Sequence, residues 1–386
     1  MSMQTESGPT LAVMGRSRKE NERRLALHPN HLERIPDELR SQVFLETGYA
    51  SRFGVPDAEL APWVGGFGSH DELVERCDIV LQPKPVAAEL ASMRPHQVFW
   101  GWAHCVQDHE LTQLAIDNGL TVVAFEAMNH WHSDGSFSLH VFHKNNELAG
   151  YSSVLHALEL CGLTGHYGRR KNAVVIGFGA TARGAVTALN GLGFHDVDVL
   201  THREVAAVAA PIHSVRMVHF ENGVGATDPG QAVVEDELVP LPSFLAAHDI
   251  IVNCVLQDPN APMVFLDEGH LPMLVPGTLV IDVSCDAEMG FSWARPTTFD
   301  EPLLTIGGVR YYAVDHSPSH LWAAATWENS EALLPFLPVV LRGPAAWDAQ
   351  PAIGRAVEIR DGVVQNPAIL TFQHRRAGYP HEVIAD

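Results

Sequence analysis

The sequence predicts an α/β fold with two Rossmann-like domains, a dinucleotide-binding domain and a discontinuous catalytic domain, separated by an interdomain cleft. Three observations support this prediction. The chain has 386 residues, which is too long for one compact core and suits two. Short apolar runs that end at Gly, Pro or polar residues recur along it, as expected for parallel strands with functional groups at their ends. Finally, a β-branched run at 173–176 leads into two glycines and an alanine-rich helical stretch.

The elements of the first domain follow one another up to about residue 150. The apolar runs predict strands within LAVMG, QVFLETG, CDIVLQP and HQVFWGWAH. A long helix is predicted over 145–162, because apolar residues recur there at helical spacing and Gly162 provides a stop signal.

A second α/β series begins at Lys171. Its strands are predicted within NAVVIG, DVDVLTHR, DIIVNCVL and TLVIDVSCD, whereas 205–241 is rich in Pro, Gly and acidic residues and predicts an irregular insertion. The helical run after about residue 318 is expected to return to the first domain. The predicted domains are therefore 1–148 with 320–386 for catalysis, and 149–319 for the dinucleotide.

Composition narrows the class of protein. The formal net charge of -21 argues against nucleic acid or an anionic membrane surface as a partner. No apolar run reaches the roughly 18 residues of a membrane span, and the N-terminus does not resemble a signal peptide. The five cysteines form no CxxC pair, and no histidine cluster has metal-ligand spacing, which favours a cytoplasmic protein without a metal site.

The glycine loop carries the first functional signal. Gly177, Gly179 and Ala182 form a GxGxxA pattern between a strand and a helix. The first glycine permits a tight turn, the second admits a pyrophosphate close to the backbone, and the small third residue lets helix and strand pack closely. This context favours dinucleotide binding over an ordinary glycine turn.

The end of the next strand indicates which dinucleotide binds. An enzyme that holds the ribose 2′-hydroxyl of NAD is expected to carry an acid there, but the strand ends in Thr201, His202 and Arg203. His and Arg suit a 2′-phosphate, so NADPH is predicted and NADH is the less favoured cofactor. Arg183, just inside the helix, is a second candidate phosphate ligand. The alternative is that Arg203 is a solvated charge and that NAD is tolerated.

Three basic residues lie near predicted strand ends of the first domain: Arg24, Lys84 and His104. A guanidinium can clamp a carboxylate, a lysine can stabilise a developing oxyanion, and a histidine can exchange a proton near neutral pH. Together they suit a substrate with one carboxylate and one reacting carbonyl. Individually, each also fits an ordinary structural role.

In the second domain, Asp286, Asp315 and Asn253 lie at positions expected near the nicotinamide. Asp286 is a candidate catalytic residue, and Asn253 and Asp315 are candidate cofactor ligands. Turn and capping chemistry is the alternative interpretation of Asn253 and Asp315.

Several longer segments, in the same order along residues 12–340, resemble one family. They include NERRLALHP, GWAHCVQ, HVFHKNNELAGYSSVLHA, IDVSCD, RPTTFDEP and YYAVDHSPS. These segments resemble the alanine dehydrogenase, transhydrogenase and saccharopine dehydrogenase superfamily, and within it the N5-(carboxyethyl)ornithine synthase family.

The resemblance implies an oxidoreductase that joins a pyruvate-like keto acid to the side-chain amine of ornithine or lysine and reduces the imine with NADPH. It assigns the keto acid to Arg24 and Lys84, general acid–base chemistry to His104, and a place beside the nicotinamide to Asp286. It also implies a homo-oligomer. Glu126 and Glu147 are candidate partners of the cationic amine, and for Glu147 an interaction with the helix dipole is the alternative.

Three other functions remain open at this point. An alanine dehydrogenase would use the same basic residues with free ammonia and would favour NADH. A saccharopine-type enzyme would join lysine to 2-oxoglutarate and would need one more cation for the distal carboxylate. A regulatory protein could bind NADP(H) without catalysis.

Overall fold

The computed structural model describes residues 8–202, 215–221, 223, 229–257 and 262–384. These residues form two compact units. Unit 1 contains the described residues up to His143 and those from Trp322 onward, and unit 2 contains the described residues from Lys144 to Leu321. No helix among the described residues is long and apolar enough to cross a membrane.

The strands are named in chain order. They are β1 Leu11–Val13, β2 Val43–Glu46, β3 Gly66–Gly68, β4 Ile79–Leu81, β5 Val98–Gly101, β6 Thr121–Ala124, β7 Asn129–Trp131, β8 Phe137–His140, β9 Ala173–Ile176, β10 Val197–Thr201, β11 Arg216–Glu221, β12 Gln231–Val234, β13 Glu237–Pro240, β14 Ile250–Asn253, β15 Val264–Leu266, β16 Leu279–Asp282, β17 Gly290–Phe291, β18 Leu303–Ile306, β19 Val309–Tyr312, β20 Val357–Arg360 and β21 Val363–Val364.

The α-helices are likewise named in chain order. They are α1 Asp37–Arg40, α2 Asp57–Leu60, α3 His70–Arg76, α4 Ala87–Leu90, α5 His109–Asp117, α6 His143–Leu160, α7 Ala180–Gly191, α8 Leu241–Ala246, α9 Trp322–Leu333, α10 Leu337–Val340, α11 Pro344–Ala349, α12 Pro351–Gly354 and α13 Pro367–Phe372.

The sheet of unit 1 has the order β21-β20-β6-β5-β4-β1-β2-β3. Strands β1 to β6 are parallel, while β20 joins β6 in the antiparallel direction. Alternate residues of one strand enter different cores: Leu11 and Val13 lie in one hydrophobic cluster and Ala12 in another. Burial on both faces explains why these strands read as continuous apolar runs.

The sheet of unit 2 repeats this arrangement around β9. Its order is β13-β12-β11-β10-β9-β14-β16-β19-β18. Six neighbouring strands of this sheet are parallel: β11, β10, β9, β14, β16 and β19. Both sheets thus contain six parallel strands in the doubly wound order 3-2-1-4-5-6, which reverses between the first and fourth strands. The predicted α/β class with two Rossmann-like units is confirmed.

The helix α6 and the segment 205–241 differ from their predicted structure. The helix predicted over 145–162 is α6, which begins slightly earlier and ends before Gly162, whose φ of +63° suits glycine. The expectation of an irregular insertion at 205–241 was wrong for its described part. β11 extends the parallel sheet there, since its alternate residues Val218 and Phe220 are buried, and β12 and β13 add an antiparallel hairpin.

Candidate functional site

Four predicted residues of unit 1 follow strands that end at the same edge of its sheet. Arg24 lies in the segment after β1, Lys84 follows β4, His104 follows β5, and Glu126 follows β6. Since these strands are parallel and adjacent, their carboxyl ends meet at one edge. The order of strands reverses there between β1 and β4, which is where open α/β sheets bind their ligands.

Arg24 is buried and held in one orientation. Its side chain is only 3% exposed, and its Nε donates to Oε1 of Glu22 over 2.8 Å while Nη2 pairs with Oε2 of the same carboxylate. The guanidinium also lies over the Trp102 ring, 4.7 Å from its centroid. A bidentate ion pair and an aromatic face fix the guanidinium plane before any substrate arrives.

Lys84, His104 and Glu126 form a connected group. The carboxylate of Glu126 accepts a short hydrogen bond from the backbone N–H of His104, and the positive charge of Lys84 lowers the pKa of Glu126. Burial and a second carboxylate, Glu358, outweigh these effects and raise the pKa of Glu126 to about 8. Oε1 of Glu126 is therefore occupied by the backbone, and this geometry does not support a direct contact to the substrate amine.

A second group of cations at this edge was missed by sequence reasoning. Arg16 and Arg52 line a cavity of about 150 Å³ at the ends of β1 and β2, together with Gly15, Thr47, Gly48, Tyr49 and Ser51. Nη1 of Arg52 donates to the carbonyl of Arg23 over 3.1 Å. Burial and the charges of Arg23 and Arg16 lower the pKa of Arg52, as expected when guanidinium groups crowd together.

The segment after β1 joins this cavity to the predicted residues. Arg16 pairs with the buried Glu46 over 2.9 Å, and the Ser17 hydroxyl donates to the backbone carbonyl of Lys84 over 2.7 Å. The sequence does contain a signal for this cation group, because residues 16–24 hold five of the 25 Lys and Arg residues of an acidic chain.

The glycine loop of unit 2 fits a dinucleotide. Gly177 has φ of +103°, and an added Cβ would approach the Cys254 carbonyl, so the fold itself requires glycine there. At Gly179, φ is -84° and an added Cβ would meet nothing within 4 Å. Neither backbone strain nor internal packing explains that glycine, whereas a phosphate resting on the N-terminus of α7 would. Ala182 is fully buried between helix and strand, as predicted.

Phosphate-binding candidates lie around this loop. The Arg183 guanidinium lies over the Phe178 ring, 4.5 Å from its centroid. β10 ends at Thr201, and exposed His202 follows with its ring centroid 3.6 Å from that of Phe220 and Nδ1 hydrogen-bonded to the Phe220 carbonyl. No acid occupies the described strand tip, and Arg203 lies outside the described residues.

Asn253 belongs to a buried network at the end of β14. Its Nδ2 donates to Asp282 over 2.9 Å, its Oδ1 accepts from the Val255 backbone, and its exposure is 0%. Asp282 also accepts from the Tyr311 hydroxyl, and burial raises the pKa of Asp282 to about 6. Because both ends of the amide are used inside the protein, the geometry does not support a side-chain contact from Asn253 to the cofactor.

Asp282 was missed by sequence reasoning, although it ends an otherwise apolar buried strand. The candidate that was chosen, Asp286, is half-buried four residues later and contributes to the raised pKa of Asp282. Asp315 accepts from Nδ1 of the buried His316 over 2.5 Å. Asp286 and Asp315 therefore remain candidates for contacts near a nicotinamide.

Glu147 lies where α6 crosses α7. Its side chain pairs with Lys144 over 2.8 Å, and its backbone carbonyl rests against Gly184 of α7. Glu147 is the fifth residue of α6, beyond its first turn, so the ion pair is an ordinary i,i+3 contact and the alternative interpretation of Glu147 as a helix-start carboxylate is not supported.

Comparisons with known proteins agree with this architecture. The family model described as alanine dehydrogenase/PNT, N-terminal domain, matches residues 14–149, and the corresponding C-terminal domain matches residues 158–367. Alanine dehydrogenase of Mycobacterium tuberculosis is 22% identical over 372 residues, covering 92% of this chain and 94% of that protein. N(5)-(carboxyethyl)ornithine synthase of Clostridium botulinum is 24% identical over 327 residues, covering 81% and 89%.

Solved structures show the same fold. An L-alanine dehydrogenase superposes with a TM-score of 0.69 at 19% identity, covering 94% of this chain and 98% of that one. A transhydrogenase from Sinorhizobium meliloti gives 0.66 at 19% identity, with 93% and 99% covered. The two family models together span most of the chain, and the resemblance inferred from its sequence is confirmed. The chain belongs to the alanine dehydrogenase/PNT family of nicotinamide-dependent oxidoreductases.

Proposed function

We propose that this protein catalyses the NADPH-dependent reductive condensation of a 2-keto acid, such as pyruvate, with the side-chain amine of ornithine or lysine. The observation that carries this proposal is the second cation group, Arg16 and Arg52, at the same sheet edge as Arg24 and Lys84. Reductive amination with ammonia involves a single carboxylate. A condensation with an amino acid involves two, and guanidinium groups are the side chains best suited to bind them.

The residues of unit 1 would divide the work as follows. Arg24, oriented by Glu22 and Trp102, would hold the keto-acid carboxylate, and Lys84 would polarise the carbonyl. The neutral amine attacks the carbonyl carbon, and the carbonyl oxygen leaves as water when His104 supplies a proton to it. Arg16 and Arg52 would hold the carboxylate of the amino acid.

In unit 2, Gly177, Gly179 and Ala182 would support the pyrophosphate, with Arg183, His202 and Arg203 as ligands of the phosphate groups. When bound, the dinucleotide supplies the hydride that reduces the imine. Asp286 and Asp315 would lie near the nicotinamide and counter the positive charge that develops on the imine nitrogen.

A second function is favoured by the comparisons. Most of the curated relatives compared are alanine dehydrogenases, and Arg24, Lys84 and His104 would equally serve pyruvate and ammonia. A saccharopine-type reaction is the third candidate, in which the second carboxylate belongs to 2-oxoglutarate.

The deciding experiment follows oxidation of NADPH and of NADH with pyruvate or 2-oxoglutarate, each with ornithine, lysine or ammonium. A requirement for NADPH, pyruvate and a diamino acid supports the condensation. Oxidation with ammonium alone, equally fast with NADH, refutes it in favour of alanine dehydrogenase activity. A strict requirement for 2-oxoglutarate and lysine assigns the second carboxylate to the keto acid.

Variants test the assigned residues. His104→Ala should lower kcat by about 10²- to 10⁴-fold, and a loss below about threefold contradicts its role. Arg52→Gln should raise the KM for the diamino acid by about tenfold or more, since a charge-assisted hydrogen bond contributes about 1.5–3 kcal/mol. The KM for the keto acid should stay unchanged. Arg34→Gln is the matched control, because Arg34 is half-exposed and pairs with Glu331.

A further inference from the structure

The turn that carries His104 is held by the C-terminal segment of unit 1, residues 367–384. Residues 104–108 form this turn between β5 and α5, and His104 has φ of +49°. A residue with a side chain adopts that left-handed conformation only when its surroundings enforce it. The His104 carbonyl closes the turn, because it accepts from the backbone N–H groups of Gln107 over 3.0 Å and Asp108 over 2.9 Å. The direction of the His104 side chain therefore depends on what holds this turn.

Gln373 contacts the turn from 268 residues further along the chain. Its Nε2 donates to the backbone carbonyl of Cys105 over 2.7 Å and to that of Val106 over 3.2 Å. The Cys105 carbonyl also accepts from the Thr112 hydroxyl of α5 over 2.7 Å, so both of its lone pairs have donors. Gln373 is 1% exposed. Because these bonds lie in the interior, loss of the Gln373 amide deprives both carbonyls of a donor that water cannot readily replace.

A buried guanidinium orients the Gln373 amide. Arg375 is buried, and its Nε donates to Oε1 of Gln373 over 2.6 Å while its Nη1 donates to Oε1 of Gln113 over 2.7 Å. Gln113 in turn donates to the carboxylate of Asp117 over 2.8 Å, so it bridges a cation and an anion. The charge-assisted bond from Arg375 occupies the amide oxygen of Gln373 and leaves its N–H groups directed at the turn.

The end of α13 explains why both side chains enter the interior. The backbone N–H of Arg375 donates to the Leu370 carbonyl over 2.8 Å, and that of His374 donates to the Thr371 carbonyl over 3.3 Å, which is the Schellman arrangement. His374 occupies its left-handed position, where glycine is usual, with φ of +50°. The chain reversal at exposed His374 thus separates two buried polar residues, Gln373 and Arg375.

We propose that Gln373, oriented by Arg375, is a positioning residue that holds the turn 104–108 and thereby sets the direction of His104. Gln373 needs no contact with substrate, because it acts through the backbone of the turn. Glu126 holds the amino end of the same turn, since its carboxylate accepts from the His104 N–H. The effect of Gln373 on the turn is independent of the reaction, whereas its effect on catalysis rests on the proposed function of His104.

Hydrogen exchange of the full chain tests the hold on the turn without reference to activity. Gln373→Glu keeps the size of the side chain and an acceptor for Arg375, but it removes both N–H donors. The amide protons of Gln107 and Asp108 should then exchange about tenfold faster, as expected for loss of a hydrogen bond. Gln365→Glu, at an exposed glutamine of the same segment, is the matched control and should leave both amides unchanged. Unchanged exchange in Gln373→Glu overturns the proposal.

Steady-state kinetics then test the consequence for His104. Gln373→Glu should lower kcat by about tenfold or more and leave the KM for the keto acid unchanged, because a misplaced catalytic group impairs the transition state more than binding. Ile369→Val, a buried change in α13, controls for lost stability and should retain kcat. Gln373→Met, which introduces no charge, replaces Gln373→Glu in both experiments if the latter does not fold.

The kinetic outcomes separate the positioning role from the proposed function. An equal loss of kcat in Ile369→Val assigns the effect to stability and overturns the positioning role. Wild-type kcat in a Gln373 variant with accelerated exchange likewise overturns it. If exchange accelerates but the wild type oxidises neither NADPH nor NADH with any amine, the proposed function is refuted and the hold on the turn stands.

Discussion

The crossing of α6 and α7 predicts a large effect from one added methyl group. In Gly184→Ala the new Cβ would lie 1.8 Å from the Glu147 carbonyl oxygen, whereas ordinary contact begins at 3.4 Å. The helices must therefore separate by the difference, about 1.6 Å, although they also meet closely at Gly150, where an added Cβ would lie 1.9 Å from the Thr181 carbonyl oxygen. Both obstacles are backbone atoms, which cannot rotate away as a side chain can.

Overpacking of this kind costs about 1–3 kcal/mol, and we expect the upper half of that range for Gly184→Ala. Because α7 carries the glycine loop at its N-terminus, the Kd for NADPH should also rise by about tenfold, or about 1.4 kcal/mol. Urea unfolding and cofactor fluorescence titration measure the two effects.

Gly191→Ala in the same helix is the matched control. An added Cβ meets nothing within 4 Å at Gly191, so this variant should be neutral or up to about 1 kcal/mol more stable. If Gly184→Ala unfolds and binds NADPH like Gly191→Ala, the close crossing does not position the loop and the reasoning fails.

Three further predictions concern charged groups. Because burial raises the pKa of Asp282 to about 6, its stabilising contribution is full below the unfolded value near 4 and is lost as pH rises through 6. Between pH 5 and 7.5 the wild type should therefore lose about 1.4 kcal/mol of unfolding free energy that Asp282→Asn keeps. A difference between the two proteins that does not change with pH would contradict this. Glu22→Gln should cost about 3–5 kcal/mol in urea unfolding because it removes the carboxylate that pairs with buried Arg24, whereas Glu331→Gln at a half-exposed pair should cost less than about 1 kcal/mol. Equal costs would be inconsistent with this view. Partial burial of its ring against Phe220 lowers the pKa of His202, so NADPH affinity should fall from pH 5.5 to 7.5 more steeply than NADH affinity, and His202→Gln should remove that difference.

Local signals explain what could be predicted from the sequence. Gly177 and Gly179 lie between a strand and a helix. Arg24, Lys84 and His104 each come after a strand, and parallel strands bring residues at such positions to one edge of the sheet. Both inferences need only strand periodicity and chain order.

The rest of the site depends on pairings that local patterns do not encode. Glu358, whose charge raises the pKa of Glu126, lies in an antiparallel strand far along the chain. Arg52 joins Arg16 only because β2 lies beside β1. Asn253 looked like a cofactor ligand because it ends a strand, but whether its side chain faces the cofactor or Asp282 depends on packing around β16. Asp282 itself could have been found, since a carboxylate that ends an apolar strand is expected to be buried.

The contrast between the whole chain and residues 16–24 leads to a last prediction. The net charge of -21 repels an anionic keto acid and attracts a cationic diamino acid, whereas five cations within 16–24 attract carboxylates locally. Salt shortens the Debye length from about 10 Å at 0.1 M to about 3 Å at 1 M, which screens the distant surface before the contacts in the site. Added KCl should therefore raise the KM for the diamino acid more than the KM for the keto acid, in steady-state kinetics at fixed pH. Arg52→Gln should widen this gap, because it removes the local attraction for the amino-acid carboxylate. If both KM values rise equally, the net charge of the chain does not distinguish the two substrates and this prediction is refuted.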